Sequence, residues 1–285
     1  MQTVAERVIA RAKELFFSGE VRRVLGWERG EFQHERIPAL YETAEQLEKL
    51  VYDEYCGPNL SKELIALSKL EGRTLAILKP CDARSLNLLL REYRVDREKV
   101  YILGAGCTGM RGRDGLLLKC ETCRGKDFPV FDEAIDDEEC RKVPDGDRFA
   151  DVCRIEQMSG DERFLFFRSE LSKCIRCNAC RNICPACSCN QCVFDNPDSG
   201  VSSKASADPF EDSQFHIVRA FHVAGRCTDC GECSRACPQG IPLHLLNRKI
   251  IKDIGELYGE YEPGGRSPLI DYRTNDVLDR GESHA

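Results

Sequence analysis

The chain has 285 residues, 42% of them hydrophobic, which is enough for one good-sized core and a second, smaller module. Its formal net charge of -7 argues against a nucleic-acid partner or an anionic membrane surface, because phosphate groups are bound by a net basic face. No apolar run approaches the roughly 20 residues of a membrane span, and 18 cysteines are far more than packing requires, which points to several metal sites.

The N-terminal segments are predicted to be mainly helical. Apolar residues recur at helical spacing through 5–17, and Gly19 ends that helix. No apolar signal core follows the first residue, which predicts a cytoplasmic chain with reduced thiols. Irregular structure is expected around 26–30, and Thr43 and Ser61 can each cap a short helix beyond it.

A strand–helix–strand unit follows. The apolar runs 74–78 and 100–103 are predicted strands, and 82–91 is a predicted helix with its leucines on one side. Two parallel strands would then each deliver a cysteine just past their carboxyl ends, Cys81 and Cys107. Ligand sites of open parallel sheets lie at those ends, so a site is expected there.

Four cysteines of this first domain form a candidate set. Four thiolates are the ligand complement of one 4Fe-4S cluster. In the alternative interpretation, the two strand-end cysteines pack as small apolar side chains and the CxxC pair is half of a site completed elsewhere. The set consists of Cys81, Cys107, Cys120 and Cys123.

The segment from 126 to 163 is polar and acidic, and it is predicted to lead over the surface and out of the first domain. A short strand or docking segment is expected at 163–167. Further on, 195–213 is rich in Ser, Asp, Pro and Ala and is expected to be a mobile insertion. Ser213 can cap a helix behind it, and the tail beyond Tyr258 has little helical character.

Two cysteine runs of identical spacing dominate the second half. They read Cys174-x2-Cys177-x2-Cys180-x3-Cys184-Pro185 and Cys227-x2-Cys230-x2-Cys233-x3-Cys237-Pro238. Such runs resemble two-cluster bacterial ferredoxins, in which the fourth cysteine of each run binds the cluster of the other run. A zinc site would leave the third in-line cysteine and the Cys-Pro step without a role. One 4Fe-4S cluster is therefore assigned to Cys174, Cys177, Cys180 and Cys237, and a second to Cys227, Cys230, Cys233 and Cys184.

Six cysteines remain after these assignments. Three of them follow closely on the first run and could bind a further metal centre, replace an assigned ligand, or form a loop that shields the cluster. The other three are isolated and are expected to be structural. The first group is Cys187, Cys189 and Cys192, and the second is Cys56, Cys140 and Cys153.

The motifs of the first domain resemble a known family. A Lys-Pro-Cys-Asp turn at Cys81, a Gly-Cys-Thr-Gly step at Cys107 and a CxxC before an acidic stretch are similar to the beta subunits of hydrogenases and formate dehydrogenases that reduce the deazaflavin coenzyme. The turn is also similar to that of sulfhydrogenase beta subunits and of the A subunit of anaerobic sulfite reductase. The resemblance covers 26–132 in short motifs and 173–242 strongly, and it implies a third cluster beside a flavin. FAD is one expectation; in the alternative, the glycines of 104–109 only let the chain turn around a cluster sulfur.

The expected architecture has three parts. An α/β domain with a small parallel sheet spans 1–165, an α-helical dicluster ferredoxin-like domain spans 166–250, and an extended tail spans 251–285. No catalytic triad or carboxylate pair is recognisable, which favours electron transfer.

The predicted function is that of an iron–sulfur electron-transfer subunit of an anaerobic, cytoplasmic oxidoreductase complex of hydrogenase, formate dehydrogenase or heterodisulfide-reductase type. Its expected partners are a flavoprotein or catalytic subunit and other iron–sulfur carriers, with no nucleic acid and no direct membrane insertion. The alternative is an FAD-containing oxidoreductase subunit that itself exchanges hydride with a soluble coenzyme.

Overall fold

The computed structural model describes residues 2–196, 198 and 209–265. The helices are α1 (Val4–Phe17), α2 (Ala44–Leu47), α3 (Leu64–Leu67), α4 (Pro80–Arg91), α5 (Leu118–Glu121), α6 (Glu138–Arg141), α7 (Ala150–Glu156), α8 (Gly160–Leu171), α9 (Ala179–Asn182), α10 (Pro209–His222), α11 (Glu232–Arg235) and α12 (His244–Leu257). The strands are β1 (Arg23–Arg29), β2 (Arg36–Tyr41), β3 (Thr74–Leu78), β4 (Val100–Ala105), β5 (Arg111–Gly112), β6 (Gly115–Leu116) and β7 (Glu133–Ile135). Within the described ranges, no helix combines the length and the apolar character that crossing a bilayer would need.

A five-stranded sheet in the order β2-β1-β3-β4-β7 forms the centre of the first domain. Strands β1, β3, β4 and β7 are parallel, and β2 joins β1 antiparallel at the edge. The predicted strand–helix–strand unit is confirmed, because β3 and β4 pair in parallel with Ile77 opposite Leu103 and α4 connects them. The fold class of this part, mixed α/β with a mainly parallel sheet, is as expected.

The segment 26–30 is not irregular as predicted. It lies largely in β1, which is buried from Arg23 to Trp27. Glycine is unfavourable inside a strand, so Gly26 hindered the prediction of β1 from the sequence. The glycine is needed because a Cβ at this position would lie 2.5 Å from Leu50 Cδ1. A glycine inside a strand commonly marks such a close approach of a neighbour.

The two predicted caps had different outcomes. Thr43 caps α2 through a capping box with Gln46, as expected, although the helix has only one turn. Ser61 does not cap a helix; it begins a 3-10 turn, and its hydroxyl donates to Asn59 Oδ1 at 2.5 Å.

The acidic connection after residue 126 is more structured than predicted. It contributes β7 to the sheet and the short helices α6 and α7. The expected strand at 163–167 is wrong, since those residues lie inside α8. Ser159 and Glu162 form a capping box that starts this helix, with Ser159 N donating to Glu162 Oε2 at 2.7 Å.

Between Gly160 and residue 265, the regular elements of the described chain are helical. Most of the predicted insertion, 195–213, lies outside the described residues, and α10 already begins at Pro209, ahead of the predicted cap at Ser213. Helix α12 continues to Leu257, so the start of the predicted extended tail is helical because Ile251 and Ile254 are buried. Residues 266–285 are outside the described part.

The largest apolar core belongs to the first domain and includes Leu15 of α1, Ile77 of β3 and Ile102 of β4. Among its described residues the helical region has small clusters, and cysteines take part in them. Helix α4 joins the two regions, because Leu88 packs with Ala186 and Val223.

Candidate metal centres

The two cysteine runs fold into loops of the same conformation. In each loop the second and fourth residues after the first cysteine adopt the left-handed region. Three of these four residues are not glycine, and each left-handed L-residue costs about 1–2 kcal/mol. The surrounding structure must therefore impose this conformation, which sets the positions of the cysteines in the loop. The residues are Arg176 (φ 50), Asn178 (φ 61), Asp229 (φ 51) and Gly231 (φ 67).

A one-turn helix follows each loop and carries the third cysteine of the run. Helix α9 carries Cys180 and α11 carries Cys233. The fourth cysteine closes the turn, with Cys184 N donating to Arg181 O at 3.3 Å and Cys237 N donating to Ser234 O at 3.2 Å. The proline after each fourth cysteine lacks an N–H and cannot extend the helix.

The structure brings the cysteines together across the two runs. One small cavity is lined by Cys174, Cys177, Cys180 and Cys237. A second is lined by Cys227, Cys230, Cys233 and Cys184. These two groups have the same members as the two sets inferred from the spacing, which are called set A and set B below. The assignment of the thiols as cluster ligands stays a prediction.

The four cysteines of the first domain line one cavity of about 290 Å³. Cys81 lies in the first turn of α4, beyond β3, and Cys107 follows β4 at the same edge of the sheet. Cys120 and Cys123 come from α5 and the residues after it; Met110 N donates to Cys120 Sγ at 3.3 Å. Cys230 of set B lines the same cavity, so the first-domain site and set B share a wall.

Across the described ranges, no three His, Cys, Asp or Glu side chains converge closely enough to hold a single metal ion. The thiols surround cavities instead. Burial raises the pKa of Cys81 and Cys227 well above the usual value for a thiol, and it raises that of Cys230 to about 12. Thiols in these positions stay protonated until a cation compensates the thiolate, so metal binding would release protons.

The turn that carries Cys81 contains a buried ion pair. Lys79 and Asp82 are both 0% exposed, and their Nζ and Oδ2 atoms are 2.7 Å apart. Lys79 Nζ also lies 4.1 Å from the centre of the Trp27 ring. Lys126 Nζ donates to the carbonyl of Cys107 at 2.9 Å, which holds the loop after β4 in place.

A second buried network joins the two regions. Glu232 of α11 is 0% exposed and pairs with Lys119 of α5 and with Arg235. Burial opposes ionisation of Glu232, but these two cations outweigh it and lower its pKa to about 2. Glu232 also accepts from Asn59 N at 3.2 Å. The helix of Cys120 is thereby fixed against the helix of Cys233.

Helix α10 presents two unusual polar side chains to the thiol sets. Nδ1 and Nε2 of His216 and Nε and Nη1 of Arg219 are buried without a hydrogen-bond partner among the described residues. His216 lines the set A cavity. Buried polar atoms are almost always satisfied, and sulfur atoms of a bound cluster would accept hydrogen bonds here, so the surroundings fit an iron–sulfur centre.

The fold places the six remaining cysteines in different parts of the molecule, with three of them around one cavity. Cys187, Cys189 and Cys192 line a wider cavity of about 760 Å³ together with cationic side chains such as Lys62. A hydrogen bond from the Cys187 thiol lowers the pKa of Cys184. Cys56 is fully buried in the large core, and its structural role is as expected.

The glycine-rich loop after β4 is tightly packed. A Cβ at Gly106 would lie 2.8 Å from the Cβ of Asp136 and 2.9 Å from the sulfur of Cys140. This packing accounts for the glycine without a phosphate ligand. The expectation of FAD stays a prediction.

Sequence reasoning missed Arg219 and Glu232. Neither belongs to a motif, and a charged residue inside an amphipathic helix is usually exposed. Glu232 carried one usable signal, its position directly before Cys233 in the second cysteine run.

Residues 170–241, which contain both cysteine runs, match the family described as the 4Fe-4S dicluster domain, so this part of the chain has the sequence of an iron–sulfur module. The F420-dependent formate dehydrogenase subunit beta of Methanocaldococcus jannaschii is 21% identical to this chain over an alignment of 350 positions, gaps included. The alignment covers 90% of this chain and 91% of the relative. These similarities confirm the resemblance expected from the sequence and identify an iron–sulfur electron-transfer subunit of an oxidoreductase.

Proposed function

We propose that the chain carries single electrons through three 4Fe-4S clusters, one in the first-domain cavity and one in each of sets A and B. The observation that carries this proposal is that three cavities each bring together four cysteines of one set, with Cys230 of set B also lining the first-domain cavity. Ligands would be Cys81, Cys107, Cys120 and Cys123 for the first-domain cluster and the members of sets A and B for the other two.

The order of the three centres follows from which of the cysteine sets are in contact. Cys230 borders both the first-domain cavity and the set B cavity. Cys180 of set A and Cys233 of set B pack in one small apolar cluster. Set B would therefore hold the middle cluster of the relay, between the first-domain cluster and the cluster of set A.

The work of the protein in this relay is to bind, bury and separate the clusters. A 4Fe-4S cluster supplies one-electron uptake and release at low structural cost. The left-handed loop residues orient the thiols, and the prolines end the loops. An apolar cluster packs around Cys174, Cys180, Cys233 and Cys237 and keeps water from these sulfur atoms. No proton transfer by an acidic or basic side chain is required.

Partners are expected at the two ends. Cys177 of set A is exposed, and the neighbouring Ile175 is 54% exposed, which suits docking of another iron–sulfur carrier. The first-domain cluster would face a flavoprotein or catalytic subunit. The named relative is a formate dehydrogenase subunit, which favours a complex of formate dehydrogenase type as the host. An anaerobic, cytoplasmic setting stays a prediction. In this scheme 1–165 is the docking domain, 166–250 the dicluster domain and 251–285 a tail.

A second candidate is an FAD-containing subunit that exchanges hydride with a soluble coenzyme. The dependence of the relative on F420, given by its name, favours testing it. Stoichiometric flavin released on denaturation, together with coenzyme-dependent reduction of the purified chain, would support this candidate over a pure relay.

The test is the iron, sulfide and flavin content of the anaerobically purified chain, with electron paramagnetic resonance after reduction. We expect about 12 irons per chain, as three 4Fe-4S clusters require. Cys120→Ala and Cys177→Ala should each remove about four irons and one reduced-state signal, since a cubane needs its four thiolates. Cys153→Ala is the matched control and should remove none. Undiminished iron in Cys120→Ala would assign the first-domain cysteines to packing.

A further inference from the structure

Arg219 is a buried cation without an acidic partner in the described part of the chain. It lies on α10, and only 3% of its surface is exposed. Its Nε and Nη1 atoms have no hydrogen-bond partner there. An arginine keeps its charge in proteins, and an uncompensated buried charge is strongly destabilising, so an anionic group is expected beside it.

The surroundings of the Arg219 guanidinium belong to both C-terminal thiol sets. Arg219 follows His216, which lines the set A cavity, by three residues on α10, and it precedes Val223 by four. The apolar cluster of Val223 packs against Cys184 and Cys227 of set B. The charge of Arg219 interacts with the thiols of Cys233, Cys184 and Cys180, and its side chain lines the wider cavity beside Cys187. Cys180 is a member of set A, whereas Cys184 and Cys233 are members of set B. Arg219 thus lies between the two sets.

We propose that Arg219 is a bridging residue that donates hydrogen bonds to both C-terminal clusters and sets their reduction potentials together; this inference rests on the proposed function. A reduced cluster is more negative than an oxidised one, so a nearby guanidinium stabilises the reduced form and raises the potential. The same charge offsets the repulsion between two reduced neighbours.

His216 on the same helix has a different role. It lines only the set A cavity and is 1% exposed. It has no lining position at set B, so the bridging position on this helix belongs to Arg219.

The experiment is a redox titration, followed by electron paramagnetic resonance, of the complete iron-loaded chain carrying Arg219→Met. Both C-terminal midpoint potentials should fall, by about tenfold in the reduction equilibrium, which is about 59 mV for a one-electron couple. Arg219→Lys keeps the charge and should recover at least half of the shift. Arg154→Gln removes an exposed arginine from α7 and is the matched control, with no shift expected.

Unchanged potentials in an Arg219→Met protein with full iron, or a fall in only one of them, would overturn the bridging role. If Arg219→Met loses iron, Arg219→Gln is read in the same way, because it keeps N–H donors without the charge. Should both lose iron, a fully loaded Arg219→Lys would support the need for a cation, and loss in Arg219→Lys as well would overturn it. The wild-type chain separates the two proposals, because failure of the relay would already appear there as missing iron or missing signals.

Discussion

Lys79 and Asp82 show how one turn of chain can hold two charges where no water reaches them. The Lys79 ammonium donates to Asp82 Oδ2 at 2.7 Å and to the carbonyl of Pro58 at 3.0 Å, and it lies over the Trp27 ring. Asp82 in return accepts from Lys79 N at 3.2 Å and starts α4. The pair therefore fixes the turn that carries Cys81.

Lys79→Met should reduce the free energy of unfolding of the first domain by about 3–5 kcal/mol, because it leaves the Asp82 carboxylate buried and unpaired. Lys79→Met combined with Asp82→Asn should recover part of that loss. The measurement is the urea concentration at which Trp27 fluorescence reports unfolding.

Lys69→Met, at an exposed position, is the control and should change the unfolding free energy by no more than about 0.5 kcal/mol. A Lys79→Met midpoint equal to that of the control would show that the buried pair contributes nothing.

At the scale of elements, the segment after α12 acts as a strap over the first-domain cavity. Tyr261 Oη donates to the carbonyl of Cys227 at 2.6 Å, and Tyr261, Glu262 and Pro263 line the cavity. Helix α4 holds the strap from the other side, with Asn87 Nδ2 donating to Gly264 O at 2.8 Å. The strap thus ties a set B loop to the helix of Cys81.

Ending the chain after Leu257 should speed the loss of first-domain iron, because the cavity then opens to water. The measurement is the rate of iron release to a chelator under anaerobic conditions. Ending the chain after Gly265 keeps the strap and is the matched control, for which the wild-type rate is expected. Equal rates in the two truncated chains would show that the strap does not shield the site.

On the scale of the whole molecule, the two regions differ in what stabilises them. The first domain has a large apolar core around its sheet, whereas the described part of the helical region has small clusters that include cysteines of sets A and B. A structure that buries little apolar surface depends on its metal centres for stability, since ligand binding contributes directly to folding.

Removal of iron should therefore unfold the helical region and leave the first domain intact. Trp27, the single tryptophan of the chain, is 0% exposed in the first-domain core and reports on it. After chelation we expect unchanged Trp27 fluorescence, reduced helical circular dichroism, and fast hydrogen exchange in α8 to α12. Exposure of Trp27 at the rate of iron loss would contradict this independence.

Local sequence patterns predicted part of this fold correctly. They failed where contacts with residues distant in sequence determine the structure. The helix at 5–17 and the strands β3 and β4 follow from periodicity and apolar runs. Strand β1 was missed because Gly26 is explained only by Leu50, which is distant in sequence. The residues 163–167, expected as a strand, lie in a helix. The prediction missed this helix because the capping box that starts it, Ser159 with Glu162, lies before the apolar run.

The sequence by itself determined the chemistry of this protein, because cysteine spacing restricts which sulfurs can face one cluster. It also determined the parallel strand pair that carries Cys81 and Cys107, because apolar runs around an amphipathic helix have few other ways to pack. Only the tertiary structure decided that the first-domain cavity shares Cys230 with set B and that Arg219 lies between sets A and B. Such contacts join residues far apart in the chain, and their positions depend on how whole helices pack, which no local pattern encodes.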